Sequence, residues 1–557
     1  MDKSIYIDLM EKVLEAYTIE QIKSYTDSVA TDGIKEHGFP RLTANIGILL
    51  ANGIKTQYKD QFKKMMDLCC NGMATALELN GEKVANDFSV REIVSCLIEV
   101  ENSGIFDKQT TDNWKKELAK INPYKAYTVV ASSAFDKVNN FAAYSAASEQ
   151  LRKYAGIGNN DEFIETHIAT QLLSFDSKGM YRDPNEPMLY DFVTRLQLAV
   201  SLYYGYNGEN RDALEQMLLK SADITLNMQS VTGEMPYGGR SNQFLFNEAA
   251  FAALCEFYAV LFKKRGSIKK AGKFKSAAAL AVQSIIPWLK EEKISHVKNH
   301  FPADMRFGCE RYAYFDKYMI TTSSMLYLAY TMADESIAEI DCPAISKNTV
   351  CRTGRYFHKV MLRYKDYFAQ FDTKADAHYD ASGLGRLHKK GAPSALCMSV
   401  PFSKHPNYSL DLENPSPFSI CAGVDGDYTY DAKYKLVKKA ITDKYAFVEF
   451  ECKTKSGAVI KKQCTLSDDG FKMEVSADGE IEILFPLFKF DGLLKTEISV
   501  DRNKAEVTYK GFKCTYKTDG AIADKNTIYA NRNGHYKGMC AKAKDKLTIY
   551  IEIKECI

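Results

Sequence analysis

The sequence is most telling first in what it lacks. No run of eighteen apolar residues occurs without a charge, so no membrane-spanning helix is expected. Neither sign of charge dominates: 73 basic and 71 acidic residues leave a net charge of +2, with no long basic run. A nucleic-acid binder carries a basic excess or stripe, so nucleic acid is not an expected partner. The 14 cysteines include the adjacent Cys69 and Cys70 but no C-x-x-C pair. That spacing gives a zinc site no support. Most cysteines lie in apolar stretches such as IVSCLIEV and AALCEFYAV, the usage of small buried hydrophobes in a reducing compartment. The opening MDKSIYIDLMEKVLEAYT has early acids and no apolar segment followed by small residues, which is not a secretory signal. A cytoplasmic location is therefore expected. The patterns G-x-x-x-x-G-K-S/T, G-x-G-x-x-G and G-x-S-x-G are absent, which argues against the usual NTPase, dinucleotide-binding and α/β-hydrolase readings.

What is present is a globular balance, 46% hydrophobic and 26% charged over 557 residues,. Up to about residue 335, helix-length segments alternate with short Gly, Asn and Pro punctuation. They fall near 56–79, 89–103, 141–155, 161–174, 189–206, 211–229, 245–264, 269–291 and 317–333, the first ended by Asn80-Gly81. In 247–262 the residues Phe251, Leu254, Tyr258 and Leu261 recur at three- and four-residue steps, with alanines on the other faces. Such a helix packs on several sides. Short connections make antiparallel hairpins. With no sequence repeat to support a solenoid, the hairpins are expected to close into an (α/α) toroid. Beyond Cys342-Pro343 the texture changes to YFAQFD, KYAFVEFEC, GFKMEVSA, IEILFPLF, AEVTYKGFKCTYK and LTIYIEIKE, separated by turn residues. That alternation predicts an antiparallel β-sandwich. The expected organisation is a toroid over residues 1–340 and a sandwich over 341–557.

Two polar loops precede predicted helices. QSVTGEMPYGGRSNQFLFNE, 229–248, holds Glu234, Tyr237, Arg240, Ser241, Asn242, Asn247 and Glu248 around a Gly-Gly pair. ISHVKNHFPADMRFGCERYAYFDKY, 294–318, holds His296, Lys298, His300, Arg306, Glu310, Tyr312 and Lys317. The plainer reading of either is a glycine turn, a helix cap and a solvated face. Together they predict a cleft at the toroid mouth. Weaker candidates are His37, Arg41 and Asn45, then Asn139 and Asn140, then Tyr190, Asp191 and Arg195. In the β part, DAHYDASGLGRLHKKGAP carries His378, Tyr379, Arg386 and His388 and reads as a long turn or a loop over the cleft.

Arg and Asn together suit a carboxylate, and Tyr or His can move a proton. That is the equipment for β-elimination from a uronic acid, and it requires no metal or organic cofactor. The first assignment gives proton transfer to Tyr237, His300 and Tyr312, and substrate binding to Arg240, Asn242, Asn247, Arg306, Lys317 and His388, with Glu310 in support. Glu234, Glu248 and Glu310 leave a second chemistry open, glycoside hydrolysis by paired carboxylates. A third reading is a non-catalytic glycan-binding protein.

On the strings MPYGGRSNQFLFNEA, HVKNHFPADMRFGCERYAYFDKY and ASGLGRLHKKGAP, and on the helix-then-strand layout, the chain resembles the heparinase II/III-like and alginate-lyase-like polysaccharide lyases. It also looks like the toroidal glycoside hydrolases that act on glucuronic acid. The resemblance implies a uronic-acid-containing oligosaccharide or glycoside as partner, and leaves homo-oligomerisation open. A cytoplasmic enzyme meets short substrates, so exo-type action is expected. The only tryptophans are Trp114 and Trp288, both in helical stretches. The 34 tyrosines are the expected sugar-stacking rings.

Overall fold

The computed structural model describes residues 1–79, 86–134, 139–398, 408, 416 and 418–556; the Asn80-Gly81 stop lies outside them. Six helices form an inner ring: Gly38–Ala51, Asn86–Ser103, Asn140–Tyr154, Met188–Tyr203, Leu245–Lys264 and Phe315–Met332. Each packs on the next, and the last returns to the first. Their sequences explain their place. Leu245–Lys264 has aliphatic, aromatic and alanine residues on nearly every face, and seventeen of its residues are buried, Leu245 through Ala259 together with Leu261 and Phe262. That helix is long and apolar enough to cross a membrane, yet 94% of its most apolar window is buried within the ring.

Small residues set the spacing of the ring. A Cβ on Gly47 would lie 2.3 Å from Cys96 Sγ and 2.4 Å from a ring carbon of Phe62. Gly47→Ala therefore forces neighbouring helices apart. Outer helices such as Ser4–Glu15, Lys59–Leu79, Arg211–Met228 and Ile268–Leu289 cover the ring with one apolar face each. Ser4–Glu15, for example, buries Tyr6, Ile7, Leu9, Met10, Val13 and Leu14. Full burial of each such side chain is worth about 1.5–3 kcal/mol.

The last ring helix ends at Met332 and the first strand begins at Thr349. The C-terminal half is two antiparallel sheets. Thr349–Arg352, Lys359–Tyr364, Tyr367–Asp372 and Gly383–Lys389 form the smaller sheet in that order. A ten-stranded sheet is built around the long strands Gly470–Phe490 and Gly534–Glu555. Val360, Leu362 and Tyr364 of the small sheet share one core with Ile460, Phe471 and Ile551 of the large one. The architecture is an (α/α) toroid followed by an antiparallel β-sandwich.

The opposite face of the small sheet packs on the toroid. There the period-two alternation places Met361 and Phe368 in the helical core. It also buries Arg363, Gln370, Arg386 and His388. Gly383–Lys389, expected as a turn or loop, is a strand. Its polar residues resemble a solvent face, but they satisfy buried backbone of the toroid. Arg386 donates to the Met235 carbonyl at 2.5 Å, and Arg363 to the Gln229 carbonyl at 2.5 Å.

Candidate active site

All six inner helices start at the same end of the ring, and a cavity of about 450 Å³ opens among their N-termini. That volume lies within the usual small-molecule range of about 300–1,000 Å³. His37 and Arg41 come from the first helix, Asp87 and Phe88 from the second, and Asn139, Asn140 and Tyr144 from the third. Tyr190 belongs to the fourth, Arg240 precedes the fifth, and Tyr312, Lys317 and Tyr318 frame the sixth. Unsatisfied N–H groups and helix dipoles make such ends favourable to anions. Six of them converge here, together with three cationic side chains.

Arg41 donates to Glu92 at 3.0 Å and to Thr321 at 2.6 Å. It also lies 2.7 Å from His37 Nδ1. A guanidinium has no acceptor, so Nδ1 accepts and Nε2 carries the proton. Burial first, then Arg41 and Lys317, holds His37 well below the usual histidine range. His37 is therefore neutral. Arg240 pairs with Asp183 and donates to the Pro184 carbonyl at 2.7 Å, and its guanidinium lies 4.4 Å from the Tyr190 ring centre. Lys317 pairs with Glu36 at 3.0 Å. These two also line a larger cavity of about 880 Å³ with Tyr17, Tyr25, Tyr314 and Asp316.

Ser241 is the hub of the rim. Its Oγ lies 3.0 Å from the Tyr312 hydroxyl, 3.2 Å from that of Tyr318 and 3.4 Å from that of Tyr190. The backbone there is left-handed at Ser241 (φ 58°) and Gln243 (φ 60°), which costs an L-residue about 1–2 kcal/mol each. Glu310 holds the turn by accepting the Ser241 N–H at 2.7 Å. Glu310 in turn pairs with Arg532 at 2.5 Å. Arg532 sits in the turn joining Ala521–Asn531 to Gly534–Glu555, so the β-sandwich reaches the site. It donates to the carbonyls of Asn242 and Gly308, and its guanidinium lies 4.5 Å from the Phe244 ring centre and 4.8 Å from that of Tyr408.

The tyrosines differ in environment. Burial and then Glu310 raise Tyr312, while Ser241 opposes. Burial also raises Tyr190, but there Arg240 opposes first. Asp87 lines the cavity, accepts the N–H groups of Val129 and Val130 at 3.3 and 3.2 Å, and is pushed by burial to about 6.

Of the residues singled out in the sequence, Arg240, Tyr312 and Lys317 line this cavity, as do the weaker candidates His37, Arg41, Asn139, Asn140 and Tyr190. Others lie elsewhere. Tyr237 is fully buried at the interface of the two halves; a Cβ on Gly385 would lie 1.9 Å from its hydroxyl oxygen. His300 sits against Asp491 of the sandwich at 2.9 Å and against the Trp288 ring. Neither borders the cavity, so neither is placed to transfer a proton there. Asn242 and Asn247 close the loop: Asn242 donates to the Gly239 carbonyl, and Asn247 accepts the Phe244 N–H and donates to the Ser241 carbonyl. Arg306 donates to the Arg311 carbonyl at 2.8 Å. Glu310 acts through Ser241 and Arg532.

Glu234 and Glu248 both face Lys298, at 3.5 and 3.3 Å. Arg386 lies 3.5 Å from Glu234, and His388 Nδ1 lies 2.7 Å from Ser230 Oγ. This is a buried polar cluster between toroid and sheet, and among the described residues no glutamate pair spans the cavity. Asn45 and Arg195 are buried ring residues, the latter paired with Asp191 at 2.5 Å. No signal in the sequence distinguished Arg532, a lone arginine in an Asn-Arg-Asn-Gly turn. Asp87 precedes the helix expected at 89–103, falls in the first turn of the observed helix Asn86–Ser103, and carries no local motif.

No protein-family model matches the sequence, and no curated protein matches it. Solved structures do. A mutant of the heparan sulfate lyase HepC from Pedobacter heparinus is similar at TM-score 0.50 and 8% identity, over 93% of this chain and 76% of that one. A heparinase III structure covers 98% of this chain and 92% of its own at 11% identity and TM-score 0.34. A glycosyl hydrolase family 88 protein from Bacteroides vulgatus covers 60% of this chain and 99% of its own, at 11% identity and TM-score 0.39. The likeness to the HepC mutant is one of fold. The chain has the toroid-and-sandwich architecture of a heparan sulfate lyase.

Proposed function

We propose that the chain is a carbohydrate-active enzyme that cleaves uronate-containing oligosaccharides by β-elimination. The observation that carries this reading is the convergence, in one cavity, of six helix N-termini, Arg41, Arg240 and Lys317 with a cluster of tyrosine hydroxyls on Ser241. The positive end of the ring receives the uronate carboxylate. Neutralising it acidifies the C5 hydrogen and stabilises the enolate-like charge, worth about 10²–10³-fold per donor.

Acid and base follow from environments that push like groups apart. Tyr190, with Arg240 against its ring, has the better stabilised phenolate and takes the C5 proton. The C5–H electron pair forms the C4–C5 double bond, and the C4–O bond breaks. Tyr312, raised by burial and Glu310, gives its proton to the leaving oxygen. The convergence of titratable groups on one cavity favours catalysis over simple glycan binding. The adjoining cavity beyond Glu36 and Lys317 leaves room for a second sugar unit. All fourteen cysteines are unpaired, the usage of a reducing compartment.

One observation favours a second reading. Asp87 lines the cavity and burial pushes its carboxyl up to about 6, which suits the general acid of a hydrolase. Purified protein incubated with glucuronate oligosaccharides separates the two. Absorbance near ~235 nm rising with new reducing ends is elimination; reducing ends alone mean hydrolysis and overturn the lyase reading.

A further inference from the structure

A second charged cavity, of about 620 Å³, lies where the toroid meets the first two strands. The turn at 175–182 and the loop at 352–356 form it. Lys178, Arg182, Arg352 and Arg355 line it against one acid, Asp176. Asp176 uses one carboxylate oxygen to accept the N–H groups of Lys178 and Met180, at 2.8 and 3.0 Å. Arg182 has a carboxylate 3.4 Å away, Glu186. Among the described residues, Lys178, Arg352 and Arg355 have no carboxylate within ion-pair distance.

The cations are nevertheless held together. The Arg182 guanidinium lies 3.6 Å from the Tyr356 ring centre and that of Arg355 4.7 Å. Arg355 also donates to the Tyr356 hydroxyl, and Lys178 to the Arg352 carbonyl. Bringing two guanidiniums to one ring raises their mutual repulsion, which an anion bound in the cavity that both line relieves. Their planar donor forks match the oxygens of a carboxylate, sulfate or phosphate. Arg182 also adjoins Asp183, the partner of Arg240 in the first cavity. One loop therefore borders both sites.

We propose that this cavity is an oxyanion-binding site separate from the uronate cavity, taking a sulfate, phosphate or carboxylate group either as a free ion or on a glycan chain. It does not depend on the lyase reading. Being exposed, it is sensitive to salt.

The test is calorimetric titration of the full chain at low ionic strength with sodium sulfate, sodium phosphate, and sulfated and unsulfated glucuronate oligosaccharides. The expected result is inorganic sulfate or phosphate binding that weakens roughly tenfold or more in the Arg182→Gln/Arg355→Gln variant. Arg352→Gln, which leaves the Tyr356 clamp intact, should weaken it less. Arg240→Gln identifies any anion bound in the first cavity. Displacement of sulfate by the sulfated oligosaccharide identifies a glycan-borne group as ligand; failure to displace it identifies the free ion. Absence of sulfate and phosphate binding, or binding unchanged in the double variant, overturns the proposal. Turnover is not the readout, so loss of the lyase reading leaves this result standing.

Discussion

Arg532 of the sandwich and Glu310 of the toroid form a 2.5 Å ion pair, both side chains at most 2% exposed. Through the Ser241 N–H that Glu310 accepts, a turn in the second half sets the rim of a cavity in the first. Removing one partner of such a pair leaves a buried charge uncompensated.

Arg532→Gln should therefore lower kcat for a glucuronate oligosaccharide by about 10²-fold with little change in KM, as small misplacements of reacting groups do. Arg532→Lys should recover part of it, because the charge returns without the fork to Asn242 and Gly308. Steady-state kinetics at ~235 nm check this; an equal loss in both variants would reduce Arg532 to a packing residue.

Tyr190→Phe and Tyr312→Phe should each reduce kcat by about 10²–10⁴-fold while leaving the melting temperature close to that of the parent. Tyr237→Phe and His300→Gln should stay within a few-fold of parental kcat, since both residues lie at the interface of the two halves. The same assay with all four variants decides whether the cavity or the polar interface carries the chemistry.

Lys298 stands between Glu234 and Glu248, all three nearly inaccessible. Lys298→Met leaves two carboxylates facing each other and should cost about 3–5 kcal/mol. Adding Glu234→Gln and Glu248→Gln should restore a large part of it. Urea unfolding of the single and triple variants measures both.

Two buried groups should give opposite pH slopes. His388, lowered by burial to about 3, stays neutral when folded while the unfolded chain takes up a proton below about 6.5. Its contribution is present above about 6.5 and is lost as the pH falls toward 3. Asp380, raised by burial to about 7, binds its proton more tightly when folded. Its contribution is present below about 4 and is lost as the pH rises through 7. Unfolding free energies at pH 5 and pH 8 should therefore show His388→Gln gaining on the parent at the lower pH and Asp380→Asn gaining at the higher.

The helical half, the β half and their order were legible in the sequence, though the strand Gly383–Lys389 read as a turn or loop. Three- and four-residue periodicity in 247–262 specifies a helix packed on several sides, because its apolar side chains recur at the α-helical step. Alternation in AEVTYKGFKCTYK specifies paired strands, because successive side chains face opposite ways. Local sequence also marked two loops as rich in usable chemistry. Which of their residues share a cavity depends on how the helices and the sandwich close around them. In 229–248, Arg240 lines the ring cavity and the buried Ser241 holds the tyrosine hydroxyls of its rim, while Tyr237, Asn242 and Glu248 are taken up by the sheet and by the loop itself. The same holds for Gly383–Lys389, whose buried Arg386 and His388 look like a solvent face until the toroid covers them. Local pattern reports only that a side chain points away from its own sheet or helix. What covers that face is fixed by the closure of six helices and by the docking of a turn more than two hundred residues away.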